Sequence, residues 1–95
     1  MADLDVHVVA PARLKLLTAL TAVSEVEFCT IRDTLQVSDS VLSKHLAALE
    51  TVGYVRRRKG VHGGRRTTWL SLTPRGREAL REHVAALRAL IAGVH

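Results

Sequence analysis

Side chains that could bind a polyanion are concentrated in two stretches of the chain. One contains short hydroxyl side chains and a lysine between Ser38 and Lys44. The other runs from Arg56 to Arg66 and contains six arginines and lysines and no acidic residue. The first 50 residues hold four basic and seven acidic residues, whereas the last 45 hold ten and two. This asymmetry favours a defined cationic patch that meets nucleic acid over a uniformly solvated surface.

The apolar pattern around the first stretch predicts a helix that presents it to solvent. Leu42, Leu46 and Leu49 recur at helical spacing and fall on one face. The opposite face holds small, hydroxylated or cationic side chains, namely Ser40, Ser43, Lys44 and Ala47. Such a face can approach base edges in a major groove about 12 Å wide. The spacing therefore predicts a recognition helix over 39–52.

Residue types at both ends of this helix agree with its boundaries. Ser38 suits the N-cap, where its hydroxyl accepts from a backbone N–H of the first turn. Gly53 follows the last turn, where the chain needs a positive φ to leave the helix. A shorter helix, capped near Cys29 or Thr30, precedes it across a tight turn over 36–38. Two helices in this arrangement form a helix-turn-helix.

The second cationic stretch lies in a predicted β-hairpin. Segments 54–59 and 67–72 alternate with a period of two, and the glycine-rich segment 60–66 separates them. A cationic hairpin tip beside a recognition helix is a wing, whose arginines reach phosphates or a narrow minor groove. Arg56 and Arg58 are candidate DNA contacts on the first strand, although the strand register decides which arginines face DNA.

The remaining elements complete a single, mainly α-helical domain over residues 1–95. A first helix over 11–24 opens at a proline, and a final helix over 74–92 opens with a threonine cap and a proline. Residues 1–9 are expected to be a loose lead-in. The predicted order is α-α-α-β-β-α, with a short extra strand at 26–28 before the second helix.

The two terminal helices have apolar residues that one core would not need. The first is apolar on more than one side, which calls for two neighbours. The last has the spacing of a helix-pairing seam, at Leu80, Val84, Leu87, Ile91 and Val94. A core-facing stripe would give the same pattern, but three helices and a hairpin already supply a core. We therefore expect an intermolecular role for these helices.

Several other functional classes find little support. No stretch is long and apolar enough to span a bilayer, and the single cysteine, Cys29, fits a reducing compartment, so we expect a cytoplasmic protein. We expect neither an enzyme nor a bound cofactor, because the chain has no phosphate-binding glycine loop and no catalytic grouping at local spacing. A metal site would require more ligands than this cysteine and the dispersed histidines provide.

Four segments of the chain resemble a known group of regulators. They are FCTIRDTL at 28–35, VSDSVLSKHL at 37–46, LETVGYV at 49–55 and GRRTTWLSLTPRG at 64–76. Together they resemble small bacterial and archaeal winged helix-turn-helix transcriptional regulators near the MarR and ArsR families, in particular the short winged-helix DNA-binding domain family. The resemblance covers about residues 11–90.

This resemblance implies a homodimer that binds a palindromic operator in double-stranded DNA, with repression as the expected outcome. It implies that the major groove is contacted by Ser38, Asp39, Ser40, Ser43 and Lys44. It implies that the wing contacts DNA through Arg65 and Arg66. The first and last helices would form the dimer interface, with the candidate residues Leu14, Leu17, Leu80, Val84, Leu87 and Ile91. The terminal helices are shorter than those of full-length MarR proteins, which leaves the existence of an effector pocket open.

Two alternative functions stay open from the sequence. In the first, Cys29 makes the protein a metal- or redox-switched sensor repressor similar to the ArsR group. In the second, the winged helix serves protein–protein assembly, against which the uncompensated cations around the wing argue.

Overall fold

The computed structural model describes residues 5–8 and 10–93, which form helices and one three-stranded sheet. In chain order the elements are α1 (Pro11–Thr21), β1 (Val26–Glu27), α2 (Phe28–Leu35), α3 (Asp39–Thr51), β2 (Val55–His62), β3 (Arg65–Leu72) and α4 (Pro74–Ala92). The strands are antiparallel, and β3 lies between β1 and β2. The predicted winged-helix order is confirmed, including the short strand before the second helix.

An aliphatic core joins the helices to one face of the sheet. Leu42, Leu46 and Leu49 of α3 are fully buried, as their spacing predicts. The same cluster contains leucines of α1 and residues of both hairpin strands, namely Leu16, Leu17, Leu20, Val55 and Leu70. Because burial of aliphatic surface is the main favourable term in folding, this cluster fixes α3 against the sheet.

The ends of α3 follow the predicted capping residues. The Ser38 hydroxyl accepts from the backbone N–H of Val41 at 3.2 Å. The helix ends at Thr51, one residue before the predicted boundary, and Gly53 follows with φ of +78°. Its backbone N–H donates to the carbonyl of Glu50 at 2.9 Å, so the chain turns tightly from α3 into β2.

The hairpin differs from the prediction in length. Segment 60–66 is not a loop, because β2 and β3 continue to His62 and Arg65 and leave a two-residue turn. Gly63 and Gly64 have φ of +59° and +77°, the signs that a type I′ turn requires at both central residues. Gly60 is a strand residue, and a Cβ atom there would lie 2.9 Å from the Trp69 ring. Two of the glycines thus serve the turn, while Gly60 makes room for an aromatic ring.

Two predicted helix boundaries are wrong. The first helix ends at Thr21 rather than near residue 24, and the chain then leads into β1. The second begins at Phe28 and has no side-chain cap, so the predicted cap near Cys29 or Thr30 is not formed. Its N-cap residue is Glu27, whose carboxylate bonds to the hairpin instead.

The N-terminal segment is packed where the structure describes it, contrary to the expected loose lead-in. Val8 is fully buried, and the Tyr54 hydroxyl donates to the Asp5 carboxylate. This bond raises the pKa of Tyr54 to about 12. Residues 1–4 and 9 of the lead-in lie outside the described residues.

The last helix is fixed to the junction between α3 and the hairpin. The Thr73 hydroxyl accepts from the backbone N–H of Gly76 at 2.9 Å, as predicted for the cap. A Cβ atom at Gly76 would lie 2.0 Å from the carbonyl oxygen of Tyr54, so only glycine permits this approach. No described helix is long and apolar enough to cross a membrane.

The six candidate dimer residues fall into two groups. Leu17 and Leu80 are buried within the protomer, at 0% and 7% exposure, so they complete its own core rather than offer a face to a partner. Leu14, Val84 and Leu87 are half-buried, and Ile91 is 72% exposed. The spacing of α4 therefore fits both interpretations, since one edge of its apolar stripe faces inward and the other faces solvent. Val94, the last residue of the predicted seam, lies outside the described residues.

Candidate nucleic-acid interface

The solvent-facing side of α3 has the predicted composition. Ser40, Lys44 and Ala47 are exposed and Ser43 is half-buried. Within the described residues, Lys44 has no acidic partner within ion-pair distance. Small side chains around a free ammonium group leave room for a groove edge to approach the helix.

Two predicted contacts at the start of α3 already have partners inside the protein. Ser38 caps the helix, and its hydroxyl also lies 3.2 Å from that of Ser40. The Asp39 carboxylate accepts from Arg32 of α2 at 2.9 Å. Arg32 also contacts Asp33 at 3.0 Å, and both bonds raise the pKa of its guanidinium. These residues position the N-terminus of α3, Ser40 shares a hydroxyl contact with its cap, and Ser43 and Lys44 are the freer candidates.

Polar contacts fix α3 at two further points. In its middle, the Arg13 guanidinium of α1 donates to Nδ1 of His45 at 3.1 Å. Burial, followed by the charges of Arg13 and Lys44, lowers the pKa of His45 and keeps the ring neutral as an acceptor. Near its C-terminus, Glu50 accepts from Nε of Arg57 in β2 at 2.6 Å. These contacts therefore fix the orientation of α3 relative to both α1 and the hairpin.

The strand register divides the hairpin, which we call the wing (residues 55–72), into two faces. Residues directly opposite each other share a face, and Val55 and Leu70 are buried in the core. The inner face, on the side of the core, contains Val55, Arg57, Lys59, Val61, Arg66, Thr68, Leu70 and Leu72. The outer face contains Arg56, Arg58, Gly60, His62, Arg65, Thr67, Trp69 and Ser71.

The inner face continues the exposed side of α3. Ser43, Ala47 and Glu50 follow one another at helical spacing, and Glu50 binds Arg57 at the base of the inner face. Further along this face stand Lys59 and Arg66, both exposed. Neither has an acidic partner among the described residues. Free cations thus extend from α3 along one side of the wing.

The outer face, by contrast, holds most of its cations in ion pairs. Arg58 donates to both carboxylate oxygens of Glu25, at 2.8 and 3.0 Å, and lies 5.9 Å from the centre of the Trp69 ring. This bidentate pair raises the pKa of Arg58 and lowers that of Glu25. Arg65 lies 3.9 Å from Glu27. Arg56 is exposed on this face and has no acidic partner in the described part of the chain.

The structure separates residues that the sequence grouped together. Arg65 and Arg66 are adjacent but lie on opposite faces of the wing, so one flat DNA surface cannot meet both in the same way. Lys59, absent from the predicted contacts, shares the inner face with Arg66. The signal that could have found it was the register of the hairpin, which the wrong loop assignment over 60–66 concealed.

The lone thiol is not part of a metal cluster in the described residues. The Cys29 Sγ atom lies 3.7 Å from a carboxylate oxygen of Glu27, which is its polar contact. No group of three or more histidine, cysteine, aspartate or glutamate side chains between residues 5 and 93, residue 9 aside, could hold a metal ion. The structure thus gives no ligand set to the sensor alternative.

Comparisons with known proteins agree with this architecture. A structure of a transcriptional regulator homologue from Pyrococcus horikoshii OT3 matches with a TM-score of 0.85 at 28% identity, over 92% of this chain and 86% of that one. The YusO protein of Bacillus subtilis matches with a TM-score of 0.77 at 25% identity, over 90% and 60%. An uncharacterized protein of Methanocaldococcus jannaschii is 33% identical over 72 residues, 76% of this chain and 78% of that protein.

The family model of the winged helix DNA-binding domain matches residues 12–91. That span runs from α1 to the last turn of α4 and includes the helix-turn-helix and the wing. The chain belongs to the winged helix DNA-binding domain family.

Proposed function

We propose that this protein is a sequence-specific transcriptional regulator that binds a palindromic operator as a homodimer and represses the adjacent gene. The observation that carries the proposal is the surface formed by α3 and the inner face of the wing. It combines small side chains with Lys44, Lys59 and Arg66, three cations that have no acidic partner in the part of the chain that the structure describes. In this proposal the protein acts in the cytoplasm. A dimer bound at the operator blocks access to the promoter, and this represses the gene.

The two parts of this surface have different tasks in the proposal. The exposed side of α3 enters the major groove, where Lys44 can donate to guanine and Ser40 and Ser43 can donate to base edges or phosphates. Lys59 and Arg66 contact the phosphate backbone, which supplies affinity without reading sequence. Affinity should therefore fall steeply with salt, whereas selectivity should depend on α3.

The dimer is supported by apolar side chains that the protomer leaves uncovered at the end of α4. Leu90 and Ile91 are 54% and 72% exposed, and Val84 and Leu87 are half-buried beside them. Pairing of these residues with a second copy would bury them. A twofold dimer places two α3 helices in successive major grooves about 34 Å apart, which corresponds to a palindromic site.

A selection from a random DNA library tests the proposal directly. Purified protein is incubated with the library in moderate salt, bound duplexes are amplified, and the mass of the complex is measured by analytical ultracentrifugation. We expect enrichment of an inverted repeat with half-sites about ten base pairs apart, and two protomers per duplex. Failure to enrich any motif would contradict the proposal, and a non-repeated motif bound by one protomer would remove the dimer from it.

The variant Lys44→Ala tests whether α3 supplies sequence selectivity while the wing supplies affinity. We expect its affinity for the selected duplex to fall by roughly 10-fold or more, with a smaller loss for random DNA, because a base contact is worth about 1–3 kcal/mol. Arg66→Ala, which removes the same charge from the wing, should weaken both duplexes alike. Fluorescence anisotropy gives both constants. Equal losses in selectivity for the two variants would show that α3 does not read the sequence through Lys44.

A further inference from the structure

A buried carboxylate lies under the outer face of the wing and is not used by the surface proposed to bind DNA. Glu27, at the junction of β1 and α2, is 8% exposed, although it carries a charge. Burial of a carboxylate is costly unless donors compensate it. Its donors come from the wing: the His62 ring contacts one oxygen, and the Thr67 hydroxyl donates to the other at 2.8 Å.

These contacts reach the part of the wing that has no other support from the sheet. β1 pairs with β3 at Leu70 and Trp69, and beyond these residues β2 and β3 pair with each other alone in the described part of the sheet. An isolated two-stranded hairpin is marginally stable in water. Glu27 contacts residues beyond that point on both strands, including His62 and Arg65 at the two sides of the turn.

We propose that Glu27 is the positioning residue of the wing: its carboxylate fixes the direction of the hairpin end through His62, Thr67 and Arg65, and so holds the inner face in the orientation that meets DNA. The part of this proposal that concerns DNA binding rests on the proposed function, whereas the part that concerns the direction of the hairpin rests on the fold alone. In this proposal Glu27 does not contact DNA itself, because its carboxylate is buried against outer-face residues of the wing.

Groups from three elements surround this carboxylate. The His62 ring contacts it from β2 and the Thr67 hydroxyl donates to it from β3. The other ionisable groups that face the carboxylate are Arg65 across the strand turn and Cys29 from α2. The neighbouring Arg58 is already paired with Glu25, so it does not compete for Glu27.

A test of the structural part compares Glu27→Gln with Glu25→Gln in the absence of DNA. Both changes remove one negative charge from the same region, but Glu25 holds Arg58 at the base of the wing. The readout is the heteronuclear ¹⁵N NOE of the Gly63 and Gly64 amides. We expect the NOE to fall in Glu27→Gln and to stay near the wild-type value in Glu25→Gln. Unchanged glycine NOEs in Glu27→Gln would overturn the proposal whatever the protein binds.

A test of the DNA-binding part measures the affinity for the duplex selected from the random library and for a scrambled duplex. Removal of a negative charge beside a cationic wing should by electrostatics alone strengthen binding to both, as we expect for Glu25→Gln. For Glu27→Gln we expect the affinity for both duplexes to fall on the order of tenfold, the equivalent of one charged hydrogen bond, because the inner face of the wing contacts phosphates in either sequence. Stronger binding of both duplexes by Glu27→Gln would overturn the proposal.

The variant His62→Gln separates positioning from a general loss of stability, because it removes one partner of the carboxylate and leaves Glu27 in place. We expect His62→Gln to lower the glycine NOEs and the affinity for both duplexes, as Glu27→Gln does. A variant that is merely less stable would keep the wild-type NOEs and affinity wherever it remains folded. Wild-type glycine NOEs in His62→Gln would contradict the role given to His62. Absence of any selected duplex would count against the proposed function and leave the NOE comparison decisive for Glu27.

Discussion

The two faces of the wing are built from the same kinds of residue but use them differently. On the inner face, Lys59 and Arg66 have no acidic partner among the described residues. On the outer face, Arg58 is paired with Glu25, and Arg65 lies within 4 Å of Glu27. A count of positive charges along the chain therefore overestimates the number that are free for phosphate.

This difference arises from one residue of strand register. Adjacent residues in a strand point to opposite faces, so a shift of one strand by a single residue would turn each of its cations to the other face. The turn at Gly63–Gly64 fixes the register, because a two-residue type I′ turn allows one alignment of the flanking strands. The glycines of the wing thus determine which of its arginines are available.

The largest effect that would test the comparison comes from matched double variants. We expect Lys59→Ala with Arg66→Ala to lower the affinity for any duplex on the order of 10-fold at about 0.1 M salt, and to reduce the salt slope by about 0.9 for each phosphate that the variant no longer neutralises. Arg58→Ala with Arg65→Ala removes the same charge from the outer face. Anisotropy titrations over a salt series give both values.

The outer-face variant is the control, and it should change the affinity and the salt slope much less. Equal losses in the two double variants would mean that net charge, rather than the inner face, determines binding. A larger loss in the outer-face variant would reverse the assignment of the two faces.

A smaller effect concerns the stability that the outer face contributes. The hydrogen bonds from His62 and then Thr67 lower the pKa of Glu27 below its ordinary value of 4.5. The folded state therefore favours the ionised carboxylate, and its contribution is complete above pH 4.5 and is lost as the pH falls through the lowered pKa. We expect Glu27→Gln to be less stable than the wild type at pH 7, with the difference shrinking below pH 4.5.

Urea unfolding at pH 7, 5 and 3 measures this change. Lys59 has no carboxylate partner among the described residues, so the difference in stability between the matched inner-face variant Lys59→Gln and the wild type should not shrink in the same way. A difference for Glu27→Gln that is independent of pH would indicate that packing, not charge, makes the side chain stabilising.

The sequence predicted most of the fold because its local signals agree with one another. Leu42, Leu46 and Leu49 recur at helical spacing, and Ser38 and Gly53 have the side chain or the backbone freedom that the helix ends require. Thr73 likewise caps the last helix as expected. Each of these features depends on neighbours within a few residues, which a sequence displays directly.

The pairing of charges depends on residues far apart in the chain and was not predictable in the same way. Glu27 is 35 residues from His62 and 40 from Thr67. No local pattern distinguishes it from the exposed acids nearby. The role of Gly60 is hidden for a similar reason, since the Trp69 ring that requires a glycine there becomes apparent once the strands are aligned.

In the proposed complex, DNA meets α3 and the inner face of the wing while the outer face stays away from it. The most direct test is to titrate ¹⁵N-labelled protein with the selected duplex and to follow amide shifts. We expect the amides of Ser43, Lys44, Lys59 and Arg66 to shift strongly, while the indole N–H of Trp69, the single tryptophan, changes little. A strong shift of the Trp69 indole with unchanged amide shifts in α3 would contradict the proposed complex.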